Sequence, residues 1–138
     1  MAELKTEIIA LADYASLSKE NKLSIAGIFD RIFIAELPGK WPKMFLVLVL
    51  KGEKESSHKL NFTIYSETGK EKILEKNIDI KLGDNGKANL ISELVNFPLK
   101  WTGEHRISVK ENKNEIGYFV FSVVKTGRGF KKDTNYPN

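Results

Sequence analysis

Nine consecutive residues, Lys43 to Lys51, read KMFLVLVLK, and every interior position is apolar. Side chains of an extended strand alternate between its two faces, so Met44, Leu46, Leu48 and Leu50 point one way while Phe45, Val47 and Val49 point the other. A strand apolar on both faces has to be covered on both. In a two-layer fold only one face is core, so the face of Phe45, Val47 and Val49 must meet a loop, the C-terminal tail or another subunit. This predicts a homo-oligomer or a docking surface for a protein partner.

The remainder of the chain alternates more conventionally. Leu60, Phe62 and Ile64 interleave with Lys59, Asn61, Thr63 and Tyr65, and Ile78, Ile80 and Leu82 interleave with Asn77, Asp79 and Lys81. Both are half-buried strands by pattern. Gly83-Asp84-Asn85-Gly86 then predicts a hairpin, since Asn-Gly supplies the positive φ angles of tight hairpin turns. The spacing of apolar residues from Lys87 to Phe97 also suits a helix, but Asn89, Pro98 and the neighbouring strands predict a strand, with a short helix as the alternative. Gly103 marks an entry bend before a closing hairpin. One arm carries His105, Ile107 and Val109, the turn lies at Asn112 to Glu115, and Phe119, Phe121 and Val123 alternate back.

Upstream, Leu11 to Ile34 predicts a long hairpin. With its turn between Leu17 and Lys22, Tyr14 falls opposite Leu23, Ala12 opposite Ile25 and Ala10 opposite Gly27. The connection from Glu36 to Pro42, with two prolines and a glycine, ends the second arm and places Trp41 in a loop. About eight short strands with no sustained helical period predict an all-β fold, an antiparallel two-sheet β-sandwich, immunoglobulin-like or jelly-roll-like. The domain is expected over 1–125, followed by a basic, flexible tail over 126–138.

The chain of 138 residues, 41% hydrophobic, suffices for one core that buries roughly two thirds of the unfolded surface. With no cysteine it has no disulfide or thiolate ligand. The N-terminus lacks a signal-type apolar run, and the longest apolar run is far short of the ~20 residues that span a bilayer, so a soluble, cytoplasmic protein without membrane contact is expected. A formal charge of +4 comes from 22 Lys and Arg against 18 Asp and Glu. The lysines alternate with glutamates, as in Glu53-Lys54-Glu55 and Lys70-Glu71-Lys72, rather than gathering on one element between aromatics. That argues against a dedicated nucleic-acid interface. The tail residues Arg128, Lys131 and Lys132 are the remaining candidates for one.

Catalytic patterns are missing from the sequence. His58 follows a serine-rich turn, and His105 alternates with Ile107 and Val109, where a histidine is more often a hydrogen-bonded core residue than a general base. No nucleophile elbow, glycine-rich phosphate loop or zinc-binding helix motif accompanies them. The expectation is a non-enzymatic protein without cofactor or metal. Asp84-Asn85-Gly86 resembles part of a calcium loop, but the oxygen-ligand spacing is absent and a turn explains it better. Asp13, Asp30 and Arg31 sit in otherwise apolar strands. Asp30 and Arg31 occupy opposite faces, so one should point toward the core unless a bulge at Gly27 re-aims it, and a structural ion pair or a backbone cap is the expected role.

Aromatic residues supply the binding candidates. Trp41 and Trp101 both fall in expected loops, where they cap the open end of the core or, if they project together with Tyr65 or Tyr118, form a ligand platform for a carbohydrate or other small molecule. On the last strand, Tyr118, Val120 and Val124 face outward. If that strand neighbours Lys43 to Lys51, they extend the face of Phe45, Val47 and Val49 into one patch for sheet-to-sheet association.

Leu11-Ala12-Asp13-Tyr14-Ala15, then Lys22-Leu23-Ser24-Ile25-Ala26-Gly27-Ile28-Phe29-Asp30-Arg31-Ile32, a proline-bearing loop before the apolar strand, and the closing segment from Phe97-Pro98 to Val123 together resemble a widespread uncharacterised family of small bacterial proteins, a domain of unknown function. The resemblance spans nearly the whole chain to Lys125. It implies the fold and marks Asp13, Tyr14, Gly27, Phe29, Asp30 and Arg31 as pattern residues. It implies an aromatic, usually tyrosine, where this chain has His105, and no activity. The expected function is therefore an interaction or assembly module acting through protein contact, with carbohydrate or small-ligand binding through the tryptophans as the alternative.

Overall fold

The computed structural model describes residues 3–68 and 70–127. The nine strands are β1 (Lys5–Leu17), β2 (Leu23–Phe29), β3 (Arg31–Ile34), β4 (Gly39–Lys51), β5 (Ser57–Ser66), β6 (Glu71–Lys81), β7 (Lys87–Leu99), β8 (Gly103–Glu111) and β9 (Asn114–Lys125). They form a four-stranded sheet of order β2-β1-β4-β7 and a five-stranded sheet of order β3-β9-β8-β5-β6. Every pairing is antiparallel except β3 with β9, which is parallel. The fold is all-β with two sheets. Nine strands replace the expected eight, and the sheets are not purely antiparallel, because the second arm of the first hairpin divides between them.

That division happens at Asp30. β2 pairs with β1, the chain bends at Asp30, and β3 joins the other sheet beside β9. The carbonyl of Asp30 accepts from the Ser122 N–H at 2.9 Å, which is the first bond to the new sheet. Asp30 and Arg31 are consequently both exposed, and the expectation that one of them points coreward fails. A bend between them voids the alternation on which it rested.

The first hairpin forms, in a different register. Ala12 lies opposite Ile28 rather than Ile25, Tyr14 opposite Ala26 rather than Leu23, and Leu17 opposite Leu23. The turn sits later because Ser18 organises it. Its N–H donates to the Lys22 carbonyl, its carbonyl accepts from Asn21 N–H, and its Oγ accepts from the Glu20 and Lys22 N–H groups. Asn21 takes the positive φ of 66° that the turn needs.

Two further expectations change. The Gly83–Gly86 turn forms but closes no hairpin, since β6 pairs with β5 and β7 pairs with β4, so this turn carries the chain from one sheet to the other. Lys87–Leu99 is a strand, and its spacing looked helical because the inward face changes partway. Asn96 has φ 54°, and past it Phe97 and Leu99 are buried, whereas Val95 is exposed. Trp41, opposite Phe97, belongs to β4 and not to a loop.

The core lies between the sheets. Leu11, Met44, Leu46, Leu48, Leu50, Leu94 and Phe97 from the four-stranded sheet belong to one buried cluster with Ile32, Phe62, Ile64, Ile107, Val109, Phe121 and Val123 from the five-stranded sheet. Fully burying each such side chain contributes about 1.5–3 kcal/mol, against the ordering cost of the chain. Gly103 bends the entry to β8 as expected, with φ 95°. Thr126 N–H donates to the Ile34 carbonyl, and the rest of the expected tail beyond Gly127, including Arg128, Lys131 and Lys132, lies outside the described residues.

Candidate functional site

The two outer faces of the molecule are built from different chemistry. On the four-stranded sheet, β4 lies between β1 and β7, and register fixes which residues share its outer face. Val47 stands between Ala10 and Ile91, Phe45 between Ala12 and Glu93, and Val49 between Ile8 and Asn89. Val47 is completely buried and Val49 nearly so, within a single chain. The centre of this face is thus covered within the chain, with Ala10 and Ile91 beside Val47, where loop, tail or second-subunit cover was expected. At its rim the face stays open: Ile8, Tyr14, Ile28 and Val95 are 42%, 54%, 62% and 60% exposed. Tyr14 meets Phe45 edge to face at 5.9 Å, and Lys43 lies 6.0 Å from the Phe45 ring centroid while reaching Glu93 at 3.4 Å.

The expected composite patch does not form. β9 belongs to the five-stranded sheet, so Tyr118, Val120 and Val124 lie on the opposite side of the molecule from Phe45, Val47 and Val49. There Tyr118 carries the Arg106 guanidinium over its ring at 3.8 Å.

On the five-stranded sheet the outer face is a hydrogen-bonded polar network. Asn61 Nδ2 donates to Glu75 Oε2 at 2.7 Å and to Asn77 Oδ1 at 3.0 Å, and Thr63 Oγ1 donates to Asn61 Oδ1 at 2.8 Å. Lys72 Nζ donates to Glu75 Oε1 at 3.0 Å. The bond from Asn61 and the bond and charge of Lys72 hold the Glu75 carboxyl below the usual carboxylate range. Beside it, Arg106 donates to Glu115 Oε1 at 2.7 Å and Ser108 Oγ to Glu115 Oε2 at 2.5 Å. Burial pushes the Glu115 carboxyl up, but those two hydrogen bonds and the Arg106 charge outweigh it and hold it low. Over β5 and β6 this face is concave, with an open groove of about 920 Å³ running from Tyr65 to Lys110 and Lys113.

Neither tryptophan lies on this groove. Trp41 packs against the core, and Trp101, in the β7–β8 connection, donates from Nε1 to Glu71 Oε1 at 3.3 Å, which Lys100 also reaches at Oε2. The expected joint platform with Tyr65 or Tyr118 is not assembled.

The histidines have separate roles. His105 is fully buried, stacked on Phe121 at 5.1 Å, with Nδ1 3.0 Å from the Gly103 carbonyl. Burial lowers its pKa, and the Gly103 carbonyl partly offsets that. It is a core residue, as its alternation with Ile107 and Val109 suggested. His58 makes a linkage invisible in sequence. Its Nδ1 is 2.5 Å from Glu111 Oε2 and its Nε2 is 2.7 Å from Ser56 Oγ. The order Ser–His–Glu matches that of hydrolytic triads. Here the Ser56 hydroxyl also donates to the Glu53 carbonyl at 2.6 Å, so its proton is held in the turn. The chain of bonds works as a clamp between the β4–β5 turn and the end of β8. Glu111 is 53 positions from His58, and only the pairing of β5 with β8 brings them together.

The pattern residues of the N-terminal segment gather at the strand that changes sheets. Gly27 has φ 73°, a conformation that favours glycine, and a Cβ there would lie 2.5 Å from Asp13 Oδ2 and so displace that side chain. Tyr14 is exposed on the outer face, Phe29 is half-buried opposite Leu11, and Asp30 and Arg31 form the bend. The pattern therefore encodes a corner of the fold rather than a site. Among the described residues no group of three or more His, Asp or Glu is placed to hold a metal ion, and no helix is long and apolar enough to cross a membrane.

No curated protein is similar in sequence to this chain. Among solved structures, part of the Pseudomonas fluorescens alkylpurine DNA glycosylase AlkC, in complex with DNA containing an abasic site analogue, is similar at a TM-score of 0.54 and 16% identity, covering 89% of this chain and 31% of that one. Part of a Listeria innocua β-glucosidase, in complex with glucose, gives 0.55 at 13% identity over 92% and 16% of the two chains. Part of the Erythrobacter marinus β-glucosidase EmGH1 gives 0.55 at 8% identity over 89% and 16%. The chain thus spans less than a third of each of these proteins, and at such identities the likeness is one of fold alone. The sequence itself is more specific: residues 7–124, from within β1 to within β9, match a family of unknown function, DUF6941, and the chain belongs to that family.

Proposed function

We propose that this domain is a contact module that self-associates through the outer face of its four-stranded sheet. One observation carries the reading: Ile8, Tyr14, Ile28 and Val95, four large apolar side chains, are all substantially exposed around the buried Val47 on one sheet face. Isolated exposed apolar residues need no explanation, whereas a group on one flat face is the mark of association. A second copy of the chain suits this surface. Two such faces pack at about 10 Å, and the rim carries both signs of charge, Lys43 beside Glu93, so a two-fold axis can set each against its opposite.

The fold supports the same view. β4 and β7 belong to one sheet and β5, β8 and β9 to the other, an order that favours an immunoglobulin-like sandwich, an architecture that presents sheet faces as well as loops to partners.

Light scattering at micromolar concentration tests the proposal. The parent protein is expected to be a dimer, Ile28→Lys with Val95→Lys a folded monomer, and Tyr118→Lys on the other sheet a dimer still. A monomeric parent protein, or a dimer untouched by the double substitution, would overturn it.

A further inference from the structure

We propose that the concave outer face of the five-stranded sheet binds an acidic oligosaccharide, with Asn61, Asn77 and Glu75 meeting its hydroxyls, Tyr65 its ring faces, and Lys110 and Lys113 its carboxylates. The surface has the composition that such a ligand needs. A sugar hydroxyl is donor and acceptor at once, and the groove offers both: the Asn77 amide keeps its N–H donors, and the Glu75 carboxylate keeps acceptor capacity after its bonds to Asn61 and Lys72. These side chains are held in position by one another and not by a ligand, so little ordering is lost on binding. Tyr65 lies four residues from Asn61 on the same face of β5, roughly 13 Å at about 3.3 Å per residue. That distance suits an extended ligand lying along the strand with an aromatic ring at one end.

Charge selects an acidic ligand over a neutral one. Two of the four lysines that line the groove are already matched, Lys59 by Asp79 at 3.9 Å and Lys72 by Glu75 at 3.0 Å. Among the described residues, no carboxylate lies within 4 Å of Lys110 or Lys113, which stand together at the β8–β9 end. Lys110 also acts at longer range on Glu75 and Glu115, whose carboxyls its charge helps hold low, so neither ammonium is locked in a close ion pair and both stay available to spaced carboxylates on a polyhydroxylated chain. A single-stranded nucleic acid would ask instead for stacked aromatics along the groove, and Tyr65 is the one aromatic lining it.

Isothermal titration calorimetry of the full chain with hexagalacturonate, cellohexaose and a dodecathymidylate strand tests this. Hexagalacturonate is expected to bind at least tenfold more tightly than cellohexaose at low salt. Lys110→Gln with Lys113→Asn removes both charges, and asparagine tolerates the φ of 70° at position 113. That variant should lose tenfold or more for hexagalacturonate, and Asn77→Ala and Tyr65→Ala should each lose about fivefold. No heat with hexagalacturonate, equal affinity for cellohexaose, or binding unchanged by every one of these substitutions would overturn the proposal. So would tighter binding of the thymidylate strand through the same residues. Ile28→Lys with Val95→Lys, on the far sheet, should leave the titration unchanged, so failure of the dimer and failure of this site are separately visible.

Discussion

The outer faces of the two sheets bury their central residues by opposite means. On the four-stranded sheet, Val47 reaches zero exposure with apolar Ala10 and Ile91 beside it in register, while the wider rim of Ile8, Ile28 and Val95 stays in water. On the five-stranded sheet, Thr63 is 8% exposed within a mesh of hydrogen bonds from Asn61, Asn77 and Glu75. Hydrophobic cover is non-directional and leaves its edge available for more of the same. A hydrogen-bonded mesh is directional and leaves specific donors and acceptors unspent. One face is thereby suited to another sheet, and the other to a polar ligand.

The largest contrast comes from reversing the chemistry at each centre, with a charge placed in the apolar one and the hydroxyl removed from the polar one. Val47→Asp buries an unpaired carboxylate and is expected to cost about 3–5 kcal/mol, enough to unfold a domain of ordinary stability. Thr63→Val keeps the volume and removes one hydroxyl, so its cost should stay near about 1 kcal/mol. Urea denaturation of the two variants distinguishes them. Similar midpoints would mean that the apolar face tolerates polarity and is not closed at its centre. The same arithmetic shows why Ile28 and Val95, and not Val47, are the positions at which to test association.

His105 gives the next effect in size, one that depends on pH. Its folded pKa lies below the unfolded value of 6.5 because burial disfavours the charged ring. Above pH 6.5 the ring is neutral in both states. As the pH falls below 6.5 the unfolded chain takes up a proton that the folded chain resists, so stability declines from there down to the folded pKa. His105→Phe, which keeps a flat ring against Phe121, should flatten the stability profile just below pH 6.5. That window lies above the range in which Glu75 and Glu115, both held below 4.5, take up protons. An unchanged slope would show that His105 ionises as freely in the fold as out of it.

How much of this was legible in the sequence follows from how local each feature is. The strands at Leu60, Ile78, Ile107 and Phe121 announce themselves by alternation, which needs no partner. The doubly apolar β4 announced a covered outer face but not what covers it, because Ala10 and Ile91 are set beside Val47 by pairing and not by proximity in sequence. Period-two patterns continue through Asp30 although the chain changes sheets there, so the ninth strand and the parallel pair with β9 were hidden. The Ser18 side chain moved the first turn, and with it the whole register. The clamp from Ser56 through His58 to Glu111 needs β5 beside β8, and the groove from Tyr65 to Lys113 needs β6, β5 and β8 side by side, and no local pattern states which strands those are. The Asp13 to Arg31 pattern was visible from the outset, and its meaning as a corner emerged only from the positive φ of Gly27 and the bend at Asp30.

The smallest expected effect concerns the rim of the apolar face. Lys43 and Glu93 are each about half exposed and 3.4 Å apart. A surface pair of this kind contributes roughly 0.2–1 kcal/mol, and salt screens it. Lys43→Ala and Glu93→Ala, singly and together, should therefore couple by less than about 1 kcal/mol in chain stability, and the coupling should vanish at high salt. If the face meets a second copy across a two-fold axis, the same two charges leave water on assembly. Each single substitution should then weaken the dimer severalfold more than it weakens the fold, and the combined charge reversal, Lys43→Glu with Glu93→Lys, should restore it. Equal effects on stability and on dimer dissociation would confine the pair to the surface of one chain and move the two-fold contact toward Ile8 and Ile28.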